Sequence, residues 1–189
     1  MVLFFDNTLQ TNHSEFLFSK EESRHLVKVL RKKKGDLITI TNGNGLEWQG
    51  ELTDVSPNST LAKKIKSQQH QPAGVQIHLA IAPTKNNNRL EWLTEKLTEL
   101  GVASITPLIC DHSERKIIKT PRFEKISIAA LKQSQQFYLP KVHPISTFAD
   151  FIGGDITNGF IAHCEDSPKE LLANCDLNHQ QVTLLIGPE

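Results

Sequence analysis

The chain has 189 residues, enough for one large domain or two small ones, and its 21 basic and 21 acidic residues leave no net charge. Any nucleic-acid surface must therefore come from local clustering rather than from a global field. With 22% charged and 38% hydrophobic residues the composition is that of an ordinary soluble globule. No apolar run approaches the roughly 20 residues that span a bilayer.

The N-terminus shows no secretory signal, and Cys110, Cys164 and Cys175 are odd in number without a CxxC spacing. Those features predict a reduced, cytoplasmic protein with no membrane partner. In chain order, Met1–Phe5 and Glu15–Phe18 are short strand candidates. Ser19-Lys20-Glu21-Glu22 has the spacing of a capping box, and it predicts a helix over about Lys20–Leu30. Arg31-Lys32-Lys33-Lys34-Gly35-Asp36 follows. From Lys20 to Asp36 seven basic residues face three acidic ones. The run reads either as a solvated helix end whose cations suit the C-terminal dipole or as a phosphate-contacting patch.

Leu37–Thr41, Leu46–Val55 and Thr60–Lys66 alternate as strands around the hairpin signal Asn42-Gly43-Asn44-Gly45 and the turn Pro57-Asn58. Short strands on tight turns predict a small β-barrel-like module with one helix. Ser67–Gly74 is polar and is predicted to be a linker. Next comes a strand–helix–strand unit. Val75–Ala82 has the apolar run of a strand covered on both faces. Asn86, Asn87 and Asn88 offer caps to a helix whose apolar stripe is Leu90, Leu93, Leu97 and Leu100. Gly101 suits the left-handed stop, and Val102–Ile109 returns as a parallel neighbour. The loop at Lys85 and Arg89 is basic and lies at a strand's carboxyl end, where open α/β sheets bind ligands.

Thr120-Pro121 opens a further helix expected to run to about Phe137. Thr147–Ile152 is expected as a short helix or turn stopped by Gly153-Gly154, and Pro168–Asn174 as a short helix. Gly159–Cys164 and Val182–Ile186 are expected as buried parallel strands. Asp111-His112-Ser113 invites a triad, but three consecutive residues cannot generally aim into one relay. Cys164 is expected to be a structural thiol, since no basic partner is near it in sequence. The eight histidines show no zinc spacing, and no GxGxxG or Walker pattern occurs, so no metal or P-loop nucleotide is expected.

Several short motifs occur in a fixed order along nearly the whole chain. They are His25-Leu26-x-x-Val29-Leu30-Arg31 with Gly35-Asp36, Lys85, Lys96-Leu97-x-Glu99-Leu100-Gly101-Val102, Lys132-Gln133-Ser134 with Pro140, and Ile186-Gly187-Pro188-Glu189. Each is weak singly; together they resemble the RsmE family, 16S ribosomal RNA uridine-N3 methyltransferases of the SPOUT class. The resemblance implies a PUA-like RNA-binding β-barrel over residues 1–70 and an α/β SPOUT methyltransferase domain over 75–189. It also implies a homodimer, S-adenosyl-L-methionine as methyl donor, and a uridine of 16S ribosomal RNA in the small subunit as acceptor. On that basis His163, Cys164, Ile186, Gly187 and Glu189 are expected at the cofactor. Arg31, Lys32, Lys33, Lys85, Arg89, Arg115, Lys132 and Gln133 are expected at RNA. No general base is assigned.

Two departures from the family pattern stand out. The family continues past Gly-Pro-Glu into glycines, a strand and a helix that thread the knot, whereas this sequence stops at Glu189. The expectation is an incomplete knot and a chain that folds in part, binds RNA at best and transfers no methyl group. After Lys132-Gln133-Ser134 the family often has Gly-Arg, and here stand Gln135-Gln136-Phe137-Tyr138. A non-catalytic RNA-binding module, and an α/β enzyme taking a small anion at Lys85–Arg89, remain the alternatives.

Overall fold

The computed structural model describes residues 2–72, 74–113, 117–118, 120–156, 158–166, 168–175 and 181–188. They form two compact units, Met1–Gln71 with Leu131–Tyr138, and Pro72–Ala130 with Leu139–Glu189.

The first unit contains β1 (Leu3–Phe5), β2 (Glu15–Leu17), α1 (Lys20–Lys28), β3 (Leu37–Thr41), β4 (Leu46–Val55) and β5 (Thr60–Gln69). The strands form one sheet in the order β1-β3-β4-β5-β2, with β1 parallel to β3 and the remaining pairs antiparallel. The helix starts where the capping box requires, with Ser19 Oγ accepting the Glu22 amide at 3.2 Å. The β3–β4 hairpin turns on Gly43 and Gly45, whose φ values of 76° and 84° favour glycine. Inward-facing Ile38, Ile40, Trp48, Leu52 and Ala62 close a core with Phe4, Phe16, Phe18 and Leu26. Trp48 is fully buried, and its Nε1 donates to the His13 carbonyl at 3.0 Å.

The sequence places the end of β5 at Lys66, but the strand runs to Gln69. Ser67, Gln68 and Gln69 pair with Trp48, Glu47 and Leu46, so the ladder of β4 recruits residues whose polarity marks them as linker. Similarly, the helix expected to reach Phe137 stops at Ser134. Gln135 takes a left-handed φ of 58°, and the Gln136 amide returns to the Leu131 carbonyl at 3.1 Å. The residues beyond are held by the first unit instead. The Phe137 carbonyl accepts from the Gly45 amide at 2.8 Å and from Thr41 Oγ1 at 3.3 Å. The Phe137 ring stacks on His70 at 4.5 Å, and the Tyr138 hydroxyl donates to the His70 carbonyl at 2.7 Å. His70 in turn sits 2.7 Å from Glu47. Burial pushes the Glu47 carboxyl up, but the His70 and Gln49 hydrogen bonds outweigh it and hold it below the usual range.

In the second unit lie β6 (Gln76–Ile81), α2 (Asn87–Glu99), β7 (Ser104–Ile109), α3 (Thr120–Ser134, whose last turn groups with the first unit), β8 (Lys141–Val142), β9 (Ser146–Thr147), α4 (Phe148–Ile152), β10 (Gly159–Ala162) and β11 (Gln181–Ile186). The sheet runs β10-β11-β6-β7-β8, all parallel, with β9 also on β7. Strand β6 is covered on both faces, as its apolar run predicts. Ile77, Leu79 and Ile81 pack with Val102, Ile105 and Leu97, while Ala80 meets Leu108, Leu185, Phe148 and Phe151.

Helix α2 starts at the N-cap Asn86 and ends in a Schellman turn. Gly101 has φ 78°, and the Val102 amide reaches the Leu97 carbonyl at 3.0 Å. Its buried stripe differs from the leucine stripe read from the sequence. Leu100 is 79% exposed, while Thr94 and Thr98 are buried. Their hydroxyls bond back to the Leu90 and Thr94 carbonyls at 2.9 and 2.8 Å, which is how polar side chains occupy apolar positions on a helix.

Strand β10 is likewise exposed along most of its length, being an edge, so Cys164 beyond it is an exposed thiol and not a buried one. The helix expected over Pro168–Asn174 is a single 3₁₀ turn at Leu172–Asn174. β8 and β9 had no sequence signal: two residues are too few for a period.

The β6–β7 face carries a histidine pair. His78 Nε2 lies 2.7 Å from Thr106 Oγ1, its ring is 5.4 Å from His143, and Phe151 meets it edge-on. Burial and then His143 lower the His78 pKa; burial and then Lys141 lower that of His143. A depressed histidine stays neutral in the fold while the unfolded chain already binds a proton. Its stability contribution is therefore complete above the ordinary value of about 6.5 and is lost as pH falls through the folded value. The thermal midpoint is expected to drop as the pH falls below about 6.5. A His78→Gln/His143→Gln variant should show a flatter profile; an equally steep one would remove the pair as the cause.

Candidate functional site

The carboxyl ends of the parallel strands define one edge of the second unit. Ala162, Ile186, Ile81 and Pro107 are direct register partners across β10, β11, β6 and β7. Four strands at about 4.8 Å spacing make this line roughly 15 Å long. The loops that leave it carry His163 and Cys164 after β10, Gly187 and Pro188 after β11, Lys85 after β6, and Asp111 and His112 after β7. These side chains are exposed.

Each loop is shaped by local chemistry. After β11, the Ile186 carbonyl accepts the Ala82 amide at 2.9 Å, which ties the two central strand ends together. Gly187 has no positive φ, so conformation does not demand glycine there; among the described residues, chain neighbours aside, no atom lies within 4 Å of the position a Cβ would take. A strand end with an open backbone suits close approach by a ligand. After β6, Thr84 Oγ1 donates to the Asn86 carbonyl at 3.2 Å and Asn86 Oδ1 accepts the Asn88 amide at 2.8 Å. Arg89 stands in the first turn of α2, whose amides form the positive end of the helix.

After β7, the Ser113 hydroxyl accepts the Cys110 amide at 2.8 Å and the serine is buried, so it closes a turn and is not placed as a nucleophile. The Cys110 thiol is pushed up, first by burial, and stays protonated. Among the described residues no group of three or more His, Cys, Asp or Glu side chains could hold a metal.

Other expected site residues lie elsewhere. Arg31, Lys32 and Lys33 belong to the loop after α1, in the first unit. There Lys32 Nζ points to the Leu37 carbonyl at 3.4 Å, while Arg31 and Lys33 are exposed. Lys132 is ion-paired with Glu22 at 3.2 Å, also within the first unit, and Gln133 is exposed. Arg115 and Glu189 fall outside the described residues. In the sequence Asp111 and His112 stand out only within a triad-like run; the parallel order of β6 and β7 is what brings them to this edge.

A family model described as "RNA methyltransferase domain" matches residues 71–189, and one described as "RNA methyltransferase PUA domain" matches residues 18–65. The chain therefore belongs to the RNA methyltransferase family. Its relatives include Ribosomal RNA small subunit methyltransferase E of Buchnera aphidicola, 32% identical over 158 residues. That match covers 77% of this chain and 60% of the relative, so the chain spans about three fifths of its length. Among solved structures, a "probable rRNA-methyltransferase" from Porphyromonas gingivalis is similar with a TM-score of 0.89 and 28% identity, over all of this chain and 80% of that one. A Ribosomal RNA small subunit methyltransferase E from Neisseria gonorrhoeae, bound to S-adenosyl methionine, shares the fold with a TM-score of 0.82 at 21% identity, again over all of this chain and 80% of that one.

Proposed function

We propose that the whole protein transfers a methyl group from S-adenosyl-L-methionine to N3 of a uridine in 16S ribosomal RNA. The observation that carries this reading is the register line itself. It sets an open glycine end, Gly187, on the strand next to the one whose loop carries Lys85 and leads into the first turn of α2 with Arg89, at the carboxyl edge of a parallel sheet. The family and its relatives named for small-subunit ribosomal RNA support the substrate class.

In this reading Ile186, Gly187, His163, Cys164 and Glu189 hold the donor, whose sulfonium supplies an electrophilic methyl carbon. The uridine N3 would lose its proton to solvent, and its lone pair would form the N–C bond as the carbon–sulfur bond breaks and its electrons stay on sulfur, which leaves as the thioether of S-adenosylhomocysteine. Lys85, Arg89 and Arg115 stabilise the negative charge that spreads onto the base carbonyls, and they fix the base for in-line attack. Arg31, Lys32, Lys33, Lys132 and Gln133 contact RNA further away, and the protein works as a homodimer in the cytoplasm.

The test uses the whole protein, methyl-labelled S-adenosylmethionine and unmodified small ribosomal subunits. Methylated N3 cannot pair, so reverse transcription is expected to stop at one labelled uridine. Label on another atom would overturn the N3 assignment; no transfer to small-subunit RNA would overturn the reading.

A further inference from the structure

We infer that Trp92, on the outward face of α2, is a stacking platform for an unpaired base of the substrate RNA. This rests on the RNA reading above and adds a residue that it does not include. A uridine can be methylated at N3 only when that edge is out of a base pair. The strand presented to the carboxyl edge is therefore single there, and its bases need new partners for their faces. An aromatic side chain supplies one.

The two tryptophans of the chain are placed oppositely. Trp48 is fully buried and hydrogen-bonded, whereas Trp92 is 61% exposed. Among the described residues the Trp92 ring makes no aromatic contact and its Nε1 no hydrogen bond. The buried side of α2 is made by Leu90, Thr94 and Thr98. Packing within this unit gives no reason for so large a ring at the surface.

Position and charge favour a nucleotide. Helix α2 starts where the loop after β6 ends, and Trp92 stands three residues past Arg89, about 4.5 Å further along the axis. The ring is thus within one turn of a cation at the acceptor edge. The first turn has no acidic residue, and among the described residues Arg89 makes no ion pair. The carboxylates of the helix are already engaged: Glu91 by Arg122 at 2.6 Å, Glu95 and Glu99 by Lys96 at 2.8 and 2.9 Å. A neutral base on the indole, with its phosphate toward Arg89, suits this arrangement.

A second copy of the chain is the poorer occupant. Leu100, the other exposed apolar residue of this row, lies about 12 Å further along the axis. Lys96 and its carboxylates stand between them. A lasting interface takes about 800 Å² from each partner, and one indole supplies at most about 250 Å².

The experiment measures binding of the full chain to a short single-stranded oligouridylate and to an abasic ribose-phosphate oligomer of the same length. Trp92→Leu keeps an apolar side chain and removes the aromatic face without changing charge. It is expected to weaken oligouridylate binding about tenfold, the size of one base–aromatic stack, with the slope of log K against log salt unchanged. Binding of the abasic oligomer is expected to stay where it was, and Trp92→Phe is expected to retain most of the affinity for oligouridylate. Undiminished oligouridylate binding by Trp92→Leu, or an equal loss on both oligomers, would overturn the platform while leaving the RNA reading in place. Sedimentation of the same variant is the second readout: a fall from dimer to monomer would assign the ring to a contact between copies and overturn the platform. No binding of either oligomer by the unsubstituted chain would overturn both readings.

Discussion

Gly187→Val, introduced into the whole protein, is expected to weaken S-adenosylmethionine binding by about tenfold to a hundredfold while leaving the thermal midpoint where it was. The two halves of that expectation come from separate features of the same residue. Among the described residues, chain neighbours aside, no atom lies within 4 Å of a Cβ at Gly187, and the residue has no left-handed φ. A side chain there meets none of the described residues and needs no left-handed backbone, so the described fold gives no reason for stability to change. A ligand lying against the backbone would meet the added methyls directly. Overpacking of this kind costs roughly 1–3 kcal/mol, and each 1.4 kcal/mol is a factor of ten in affinity. Gly187→Ala should fall between the two. Titration calorimetry measures the affinity and a thermal melt the fold. Undiminished binding in the valine variant would remove Gly187 from the donor site.

The features that define this site differ in how far the sequence announces them. The β6–α2–β7 unit is legible because its signals are local and of different kinds: an apolar run, the Asn86 cap and the Gly101 stop each sit within a few residues of what they shape. The capping box at Ser19 is legible for the same reason. What the sequence hides is pairing across distance. That Ile186 lies level with Ile81 and Ala162 depends on strands separated by as many as 105 residues, and no period within one strand states its neighbour. Ser67–Gln69 show the reverse failure, since their polar composition reads as linker while the backbone of β4 needs partners whatever their side chains. Helix α3 ends short of Phe137 because that residue's carbonyl and ring are engaged by Gly45, Thr41 and His70, which are remote in sequence. The excess of cations over Lys20–Asp36 is countable from the sequence, but the pairing of Glu22 with Lys132 is not.

The other large effect is expected in the first unit, at Gly50. Trp48, Gly50 and Leu52 alternate inward on β4, and the indole of Trp48 lies over Gly50. A Cβ on Gly50 would stand 2.6 Å from Trp48 Cη2 and 2.9 Å from the Lys63 carbonyl oxygen. Neither can yield easily. The indole is fully buried and tethered through Nε1 to the His13 carbonyl, and the Lys63 oxygen belongs to the paired strand β5. Gly50→Ala is therefore expected to destabilise this unit by about 3 kcal/mol, the upper end of the usual range for an inserted methyl, because ring and backbone are both in the way. Urea unfolding gives the free energy. The cause is separated from a mere loss of glycine by a double-mutant cycle with Trp48→Leu. That substitution alone removes buried aromatic surface and the His13 bond, and costs about 3 kcal/mol. If the indole is what the methyl strikes, the double variant is less destabilised than the sum of the two, with a coupling of about 1 kcal/mol or more. Strict additivity would place the strain at the Lys63 carbonyl and leave the indole free of it.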